Sequence, residues 1–176
     1  MFTIEEIRVA NSTSRSNGAS AKNKDGSVRA IVPRYVVGHI DKKNSILDFG
    51  AGRGAMHTKW LREEGFNVTA YDFGENCIED LHDKDALNRQ YKVIMASNVI
   101  NVSSSWEMLL ETLNEINNSL EHGGMLIVNY PASPRKMDLS ATEMGMVIQN
   151  VFKGLVQRVG GTNSAPLWIV YKPFLN

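Results

Sequence analysis

Short apolar runs alternate along this chain with longer stretches in which apolar residues recur every three or four positions. Ser45 to Phe49 is such a run and predicts a first strand; Asn67 to Tyr71, closing on Asp72, predicts a second. Tyr91 to Asn98 is apolar enough for a strand covered on both faces, and Met125 to Asn129 predicts another. The intervening segments have helical spacing. Val28 to Ile40 carries Ile31, Val32, Tyr35, Val36, Val37 and Ile40, with Pro33 placed for a first helical turn. Ala55 to Glu64 predicts a helix burying Met56, Trp60 and Leu61, with Gly65 as its C-cap. Ser104-x-x-Glu107 reads as a capping box opening a helix with Trp106, Leu109, Leu110, Leu113, Ile116 and Leu120 on one face, ended by Gly123-Gly124. Ser140-x-x-Glu143 opens a further helix that buries Met144, Val147, Ile148 and Val151. Leu155 to Val159 and Leu167 to Tyr171, on either side of Gly160-Gly161, predict a closing hairpin.

Residues 11–27 interrupt this pattern, with no large apolar residue before Val28. Such a segment cannot bury enough surface to order itself. Residues 1–27 therefore read as a flexible arm, or as a lid that orders over a ligand, and 28–176 as the folded domain. The polar stretch 75–90 also lacks a strong apolar run.

Composition narrows the classes. The 176 residues fit a single domain, and 43% apolar with 22% charged residues is ordinary for a soluble globular protein. A net charge of zero gives no global pull toward nucleic acid or an anionic membrane, although a local basic groove would suffice for DNA or RNA. The single cysteine, Cys77, excludes an intrachain disulfide and fits a reducing compartment. The four histidines are scattered without ligand spacing, so no metal site is expected. No apolar run approaches ~20 residues, and Glu5 and Glu6 stand where a secretory signal would be apolar. A cytoplasmic protein that does not engage membranes is expected.

The chemistry concentrates at Ile46-Leu47-Asp48-Phe49-Gly50-Ala51-Gly52-Arg53-Gly54. An apolar run ends in an acid, glycines then alternate with other residues, and a helical pattern follows. This reads as strand, tight turn and helix. Glycine removes side chains where backbone must approach a ligand, and a helix N-terminus offers N–H groups to the same crevice. In open α/β sheets that crevice binds nucleotides, and an acid about 20 residues on accepts from ribose hydroxyls. Asp72 is placed for that role. Gly50, Gly52 and Ala55 also satisfy the relaxed dinucleotide fingerprint, so a nicotinamide or flavin site is an alternative.

Asp48 separates these readings. With Gly50, Gly52 and Gly54 it resembles motif I, Asp-x-Gly-x-Gly-x-Gly, of the class I S-adenosylmethionine-dependent methyltransferases. The order of elements from residue 28 onward is similar to that family. The resemblance implies a Rossmann-like α/β fold, a mostly parallel sheet with a C-terminal antiparallel hairpin, and S-adenosylmethionine as cofactor. A third strand, expected between residues 75 and 90, is short or missing. By the same resemblance Phe49, Gly50, Ala51 and Gly52 lie along the methionine end of the cofactor, with Asp48 near its ammonium group. Asp72 takes the ribose, Phe73 packs on adenine, and Asp85 with Ala86 meets the adenine edge. Ser97 and Asn98 end a strand beside the methyl group, and Asn129 and Tyr130 line the substrate side.

No catalytic base is identified, and methyl transfer from a sulfonium does not demand one. The acceptor is open: a small molecule, or an accessible nucleic-acid or protein group. A non-catalytic adenosylmethionine-binding subunit or regulator is the alternative, and a nicotinamide oxidoreductase a more distant one. Ser97 to Val102, following that motif I, also resembles methyltransferases linked to bacterial DNA-modification clusters, which implies a bacterial or phage origin.

Overall fold

A computed structural model describes residues 2–16 and 22–175, with side chains over 2–10 and from 22 onward. Its centre is a six-stranded sheet in the order β2-β1-β3-β4-β6-β5. The strands are β1 (Ser45–Phe49), β2 (Asn67–Tyr71), β3 (Tyr91–Ala96), β4 (Leu120–Asn129), β5 (Leu155–Gly161) and β6 (Pro166–Tyr171). β1 to β4 run parallel, while β6 is antiparallel to β4 and to β5. The expected hairpin therefore closes one edge.

Alternation along the strands sends neighbouring side chains to opposite layers. α2 (Ile31–His39) and α3 (Met56–Glu63) cover one face, burying Val32, Val36, Trp60 and Leu61 against Ile46, Val93 and Ile127. α4 (Trp106–Ser119) and α5 (Ala141–Phe152) cover the other, setting Leu109, Leu113, Met144 and Ile148 on Leu47, Ile94 and Val128. Because β2 and β3 flank β1 on opposite sides, the chain reverses its direction of winding at β1. A crevice opens there, at the carboxyl ends of the strands.

Several local expectations change in three dimensions. The cap of α4 is Ser105, whose hydroxyl accepts from Met108 N–H at 3.1 Å, so Ser104 is not part of a capping box. Ser140 and Glu143 do form their box on α5. Gly123 and Gly124 do not stop α4, which ends at Ser119. They lie in β4, where the pairing with β3 slips between Tyr91 and Val93. The helix end is instead closed from a distance: Lys172 Nζ donates to the carbonyls of Asn117 and Leu120 at 2.6 and 2.8 Å.

The N-terminal stretch, which reads as a flexible arm, contains the helix α1 (Ile4–Ser16). Thr3 and Glu6 cap it reciprocally, Thr3 N–H donating to Glu6 Oε2 at 2.9 Å and Glu6 N–H to Thr3 Oγ1 at 3.1 Å. Ala10 packs with Val102 and Met108, which supplies the apolar surface that the polar sequence around it lacks. Residues 17–21 of the expected arm lie outside the described residues.

No described residue forms a strand between 75 and 90; two short 3₁₀ turns, Gly74–Asn76 and Ala86–Asn88, stand there instead. β2 is thus a sheet edge. Arg62 donates to the Val68 carbonyl through Nε and Nη2 at 3.0 and 2.8 Å, and Asp83 N–H donates to the Ala70 carbonyl at 2.9 Å.

Near the end of β2, α4 presents Glu111 and Glu115 toward Tyr71. Glu115 Oε2 is buried without a hydrogen-bond partner, and burial, followed by the charge of Glu111, pushes the carboxyl up to about 7. The folded chain therefore holds a proton that the unfolded chain releases as pH rises from 4.5 to about 7. This group's favourable contribution is complete below that window and lost above it. Glu115→Gln is expected to stabilise the protein at pH 8 by about 1–2 kcal/mol, a figure reduced for the solvent that reaches the side chain, and to change little near pH 4.5. Urea unfolding at the two pH values measures this difference.

Candidate functional site

The turn after β1 is shaped by its neighbours. Gly50 and Gly52 both adopt φ +74°, a conformation that side chains disfavour. A Cβ on Gly50 would stand 2.6 Å from Val99 Cγ2, so the loop after β3 presses directly on this turn. A Cβ on Gly52 would meet nothing within 4 Å, so that glycine faces open space. The amides do not all point outward, as the strand–turn–helix reading suggests. Gly50 N–H and Ala51 N–H both donate to the Tyr71 carbonyl at 2.9 Å.

Asp72 completes this junction. It is 5% exposed, and its Oδ2 accepts from Gly52 N–H at 2.6 Å while Oδ1 accepts from Phe73 N–H at 2.8 Å. Each carboxylate oxygen has a second lone pair, which leaves one acceptor on each for a vicinal diol. Burial pushes this carboxyl above its usual range, and the two amide hydrogen bonds oppose that shift.

Asp48 is 1% exposed on the α3 side of the sheet, where Thr58 Oγ1 donates to Oδ2 at 2.7 Å. Burial raises its carboxyl, with the nearby His57 acting in the opposite sense. Phe49 lies in the core of the opposite layer, its ring 5.2 Å from that of Tyr71. Phe73 meets Phe2 of the N-terminal segment, ring centroids 5.1 Å apart. Glu6 of α1 accepts a hydrogen bond from Ser105 Oγ, tying the helix to the loop after β3.

Ser97 and Asn98 follow β3. Ser97 is buried and its hydroxyl has no partner. Asn98 adopts φ +57°, and Asn129 holds it there: Asn98 N–H donates to Asn129 Oδ1 at 2.7 Å, and Asn129 Nδ2 donates to Asn98 Oδ1 at 2.8 Å. Such backbone strain in a non-glycine residue is characteristic of functional crevices.

Other residues expected at the site are placed elsewhere or already engaged. Asp85 is exposed and lines a separate groove of about 790 Å³ beside the edge of β2, with Ala70, His82 and Asp83. Ala86 is fully buried, and its carbonyl accepts from Tyr91 OH at 3.1 Å. Tyr130 is 1% exposed; its hydroxyl donates to the Leu139 carbonyl at 2.8 Å, and the Arg135 guanidinium lies 3.9 Å from its ring centroid. Its expected place lining the substrate side is thus beneath the surface. On the helix after the turn, His57 is buried and Arg62 is engaged with the Val68 carbonyl at the edge of β2.

Sequence reasoning missed α1, although Thr3-x-x-Glu6 was a signal for it. It also missed His82, which contacts the Gly52 carbonyl and which no spacing marks. Among the described residues, no group of three or more His, Cys, Asp or Glu could hold a metal ion. No helix among them is long and apolar enough to cross a membrane.

A family model described as a methyltransferase domain matches residues 18–159. This chain belongs to that methyltransferase family. The oxidoreductase alternative falls with that match, and S-adenosylmethionine is the cofactor of the methyltransferase. Comparison with curated protein sequences gives no match. Among solved structures, a TehB-like SAM-dependent methyltransferase from Corynebacterium glutamicum is similar with a TM-score of 0.64 at 15% identity, over 94% of this chain and 98% of that one. A SAM-dependent methyltransferase from Bacteroides fragilis, in complex with S-adenosyl-L-homocysteine, scores 0.61 at 13% identity over 82% of this chain and 78% of that one. The 1,6-didemethyltoxoflavin-N1-methyltransferase of Burkholderia thailandensis scores 0.61 at 15% identity over 98% and 92% respectively. At these identities the likeness is one of fold. The methyltransferase's own residues fit the cofactor: open space over Gly52, spare acceptors on Asp72 and an unpartnered hydroxyl on Ser97.

Proposed function

We propose that this methyltransferase acts on a small acceptor seated beneath α1, at the carboxyl ends of β1 and β3. The observation that carries this reading is the position of α1 and the residues leading into it, which bridge the loops after β2 and β3 through Phe2 on Phe73 and Glu6 with Ser105. A site roofed in this way suits a compact substrate better than a duplex or a folded protein. The Burkholderia enzyme, solved with 1,6-didemethyltoxoflavin and S-adenosylhomocysteine bound, offers a precedent on the same fold.

In this reading Asp72 accepts from the ribose hydroxyls, and Phe49, Gly50, Ala51 and Gly52 form the turn along the methionine end. Asp48, held by Thr58, lies behind that turn near the ammonium group. Phe73 supports the adenine face, while Asp85 and Ala86 keep their adenine role by family resemblance alone. Bound S-adenosylmethionine would supply a methyl group already activated on sulfur. The chain's work is to hold the acceptor in line, roughly 3 Å from the methyl carbon, and to exclude water. Ser97 and Asn98 stand where that alignment is set, Asn129 fixes Asn98, and Tyr130 supports the floor. The same proposal includes the lid role of the N-terminal segment and a cytoplasmic setting in a bacterium or phage. The lone Cys77 and the resemblance of residues 97–102 support that setting.

Incubation with methyl-labelled S-adenosylmethionine and fractionated cell extract tests the acceptor class. Label is expected in the small-molecule fraction. Label confined to DNA, RNA or protein would overturn the small-acceptor reading.

A further inference from the structure

His82 lies in the polar stretch that stands in place of a third strand, and it is 8% exposed. Its Nδ1 is 3.1 Å from the Ile78 backbone nitrogen. A backbone N–H can only donate, so Nδ1 accepts and carries no proton. The proton of the neutral ring is therefore on Nε2, which lies 2.9 Å from the Gly52 carbonyl and donates to it. Gly52 is thus gripped on both sides of its Cα. Asp72 holds its N–H at 2.6 Å; its carbonyl accepts from Ala55 N–H at 3.0 Å within the turn and from His82 Nε2 at 2.9 Å, a donor from outside the turn. These are the two peptide units whose rotation sets the shape of the turn, at the glycine with open space before it.

We infer that His82 is a positioning residue for cofactor binding, acting through the Gly52 peptide. The inference rests on the reading of this turn as the cofactor cradle and adds a residue to it. A glycine at φ +74° has no side chain to restrain it, and without His82 its carbonyl keeps only the Ala55 N–H of the same turn, which can move with it. His82 ties the turn to a separate segment and restricts that freedom before the ligand arrives, so less ordering cost remains at binding. The segment 75–90 thereby gains a use in this chain. Lacking a strand, it folds back through a one-turn loop, Ile78 to His82, and delivers an imidazole to the turn after β1.

The two contacts of the ring can be separated by substitution. Glutamine at position 82 reaches as far as Nε2 and can donate to the Gly52 carbonyl. Asparagine is shorter; it can accept from Ile78 N–H and cannot reach Gly52. Calorimetric titration of the full chain with S-adenosylhomocysteine is expected to leave His82→Gln within about threefold of wild type and to weaken His82→Asn roughly tenfold. The reverse order, or equal affinities for the two variants, would assign His82 to the Ile78 turn alone and overturn the inference. Nitrogen-15 NMR of the unliganded wild-type protein supplies a test that needs no variant and no ligand. An Nε2–H ring with an unprotonated Nδ1 is expected, and an Nδ1–H ring would overturn the proposed contact. If wild type binds no S-adenosylhomocysteine, the cradle reading itself fails, and the positioning role fails with it. If wild type binds and the variants do not separate, only the role of His82 fails.

Discussion

Gly52→Val is expected to lose S-adenosylhomocysteine binding by ~100-fold or more while remaining folded. The fold has room for the new side chain, since nothing lies within 4 Å of the added Cβ. The cost to stability is that of a branched residue at φ +74°, about 1–3 kcal/mol, which lowers the melting temperature without unfolding the protein. The cost to binding is larger, because the isopropyl group fills the space through which a ligand reaches the turn. Circular dichroism and calorimetric titration on one preparation separate the two effects. Wild-type affinity in this variant would show that the cofactor does not approach Gly52. Gly50 is a poorer probe, because its substitution would also strike Val99.

Asp72→Ala is the second large effect. The substitution removes the proposed ribose acceptors and leaves Gly52 N–H and Phe73 N–H without their partner. A charged hydrogen bond is worth about 1.5–3 kcal/mol, and the net loss of one such bond to the ribose lowers affinity roughly tenfold to a hundredfold. The same calorimetric titration measures it. An unchanged dissociation constant would remove Asp72 from the cofactor site. Asp72→Asn sharpens the result, because the carboxamide keeps one acceptor and turns an NH₂ toward the second amide donor.

The parts of this fold that were legible in the sequence are those whose cause is local. β1, β2 and β3 are short apolar runs bounded by polar residues or glycine, and they form where the pattern places them, β3 ending at Ala96, two residues before the expected Asn98. The α5 box depends on Ser140 and Glu143 alone and forms as read. Features decided by distant partners were not legible. Ser105 rather than Ser104 caps α4, because the chain enters the helix from the turn at Ile100–Val102. Gly123 and Gly124 look like a helix stop but lie in β4, and the end of α4 is closed by Lys172 from a distance. The candidate site divides in the same way. Asp48, Gly50, Gly52 and Asp72 meet at one junction because strand register brings β1 and β2 together. The sequence places Tyr130 toward substrate because it does not show that Arg135 and Leu139 engage that ring and hydroxyl. His82 carried no signal, since its partner is a backbone carbonyl.

The Arg62 and Asp83 contacts to β2 also bear on how molecules of this protein meet one another. A border strand with bare carbonyls is a template on which another chain can zip, and sheet proteins aggregate by that route. Here the carbonyls of Val68 and Ala70 are already occupied by the chain's own guanidinium and amide. An incoming strand would have to displace a charged donor before gaining its first bond. A further strand pairing along β2 would therefore compete with two groups that the same chain supplies.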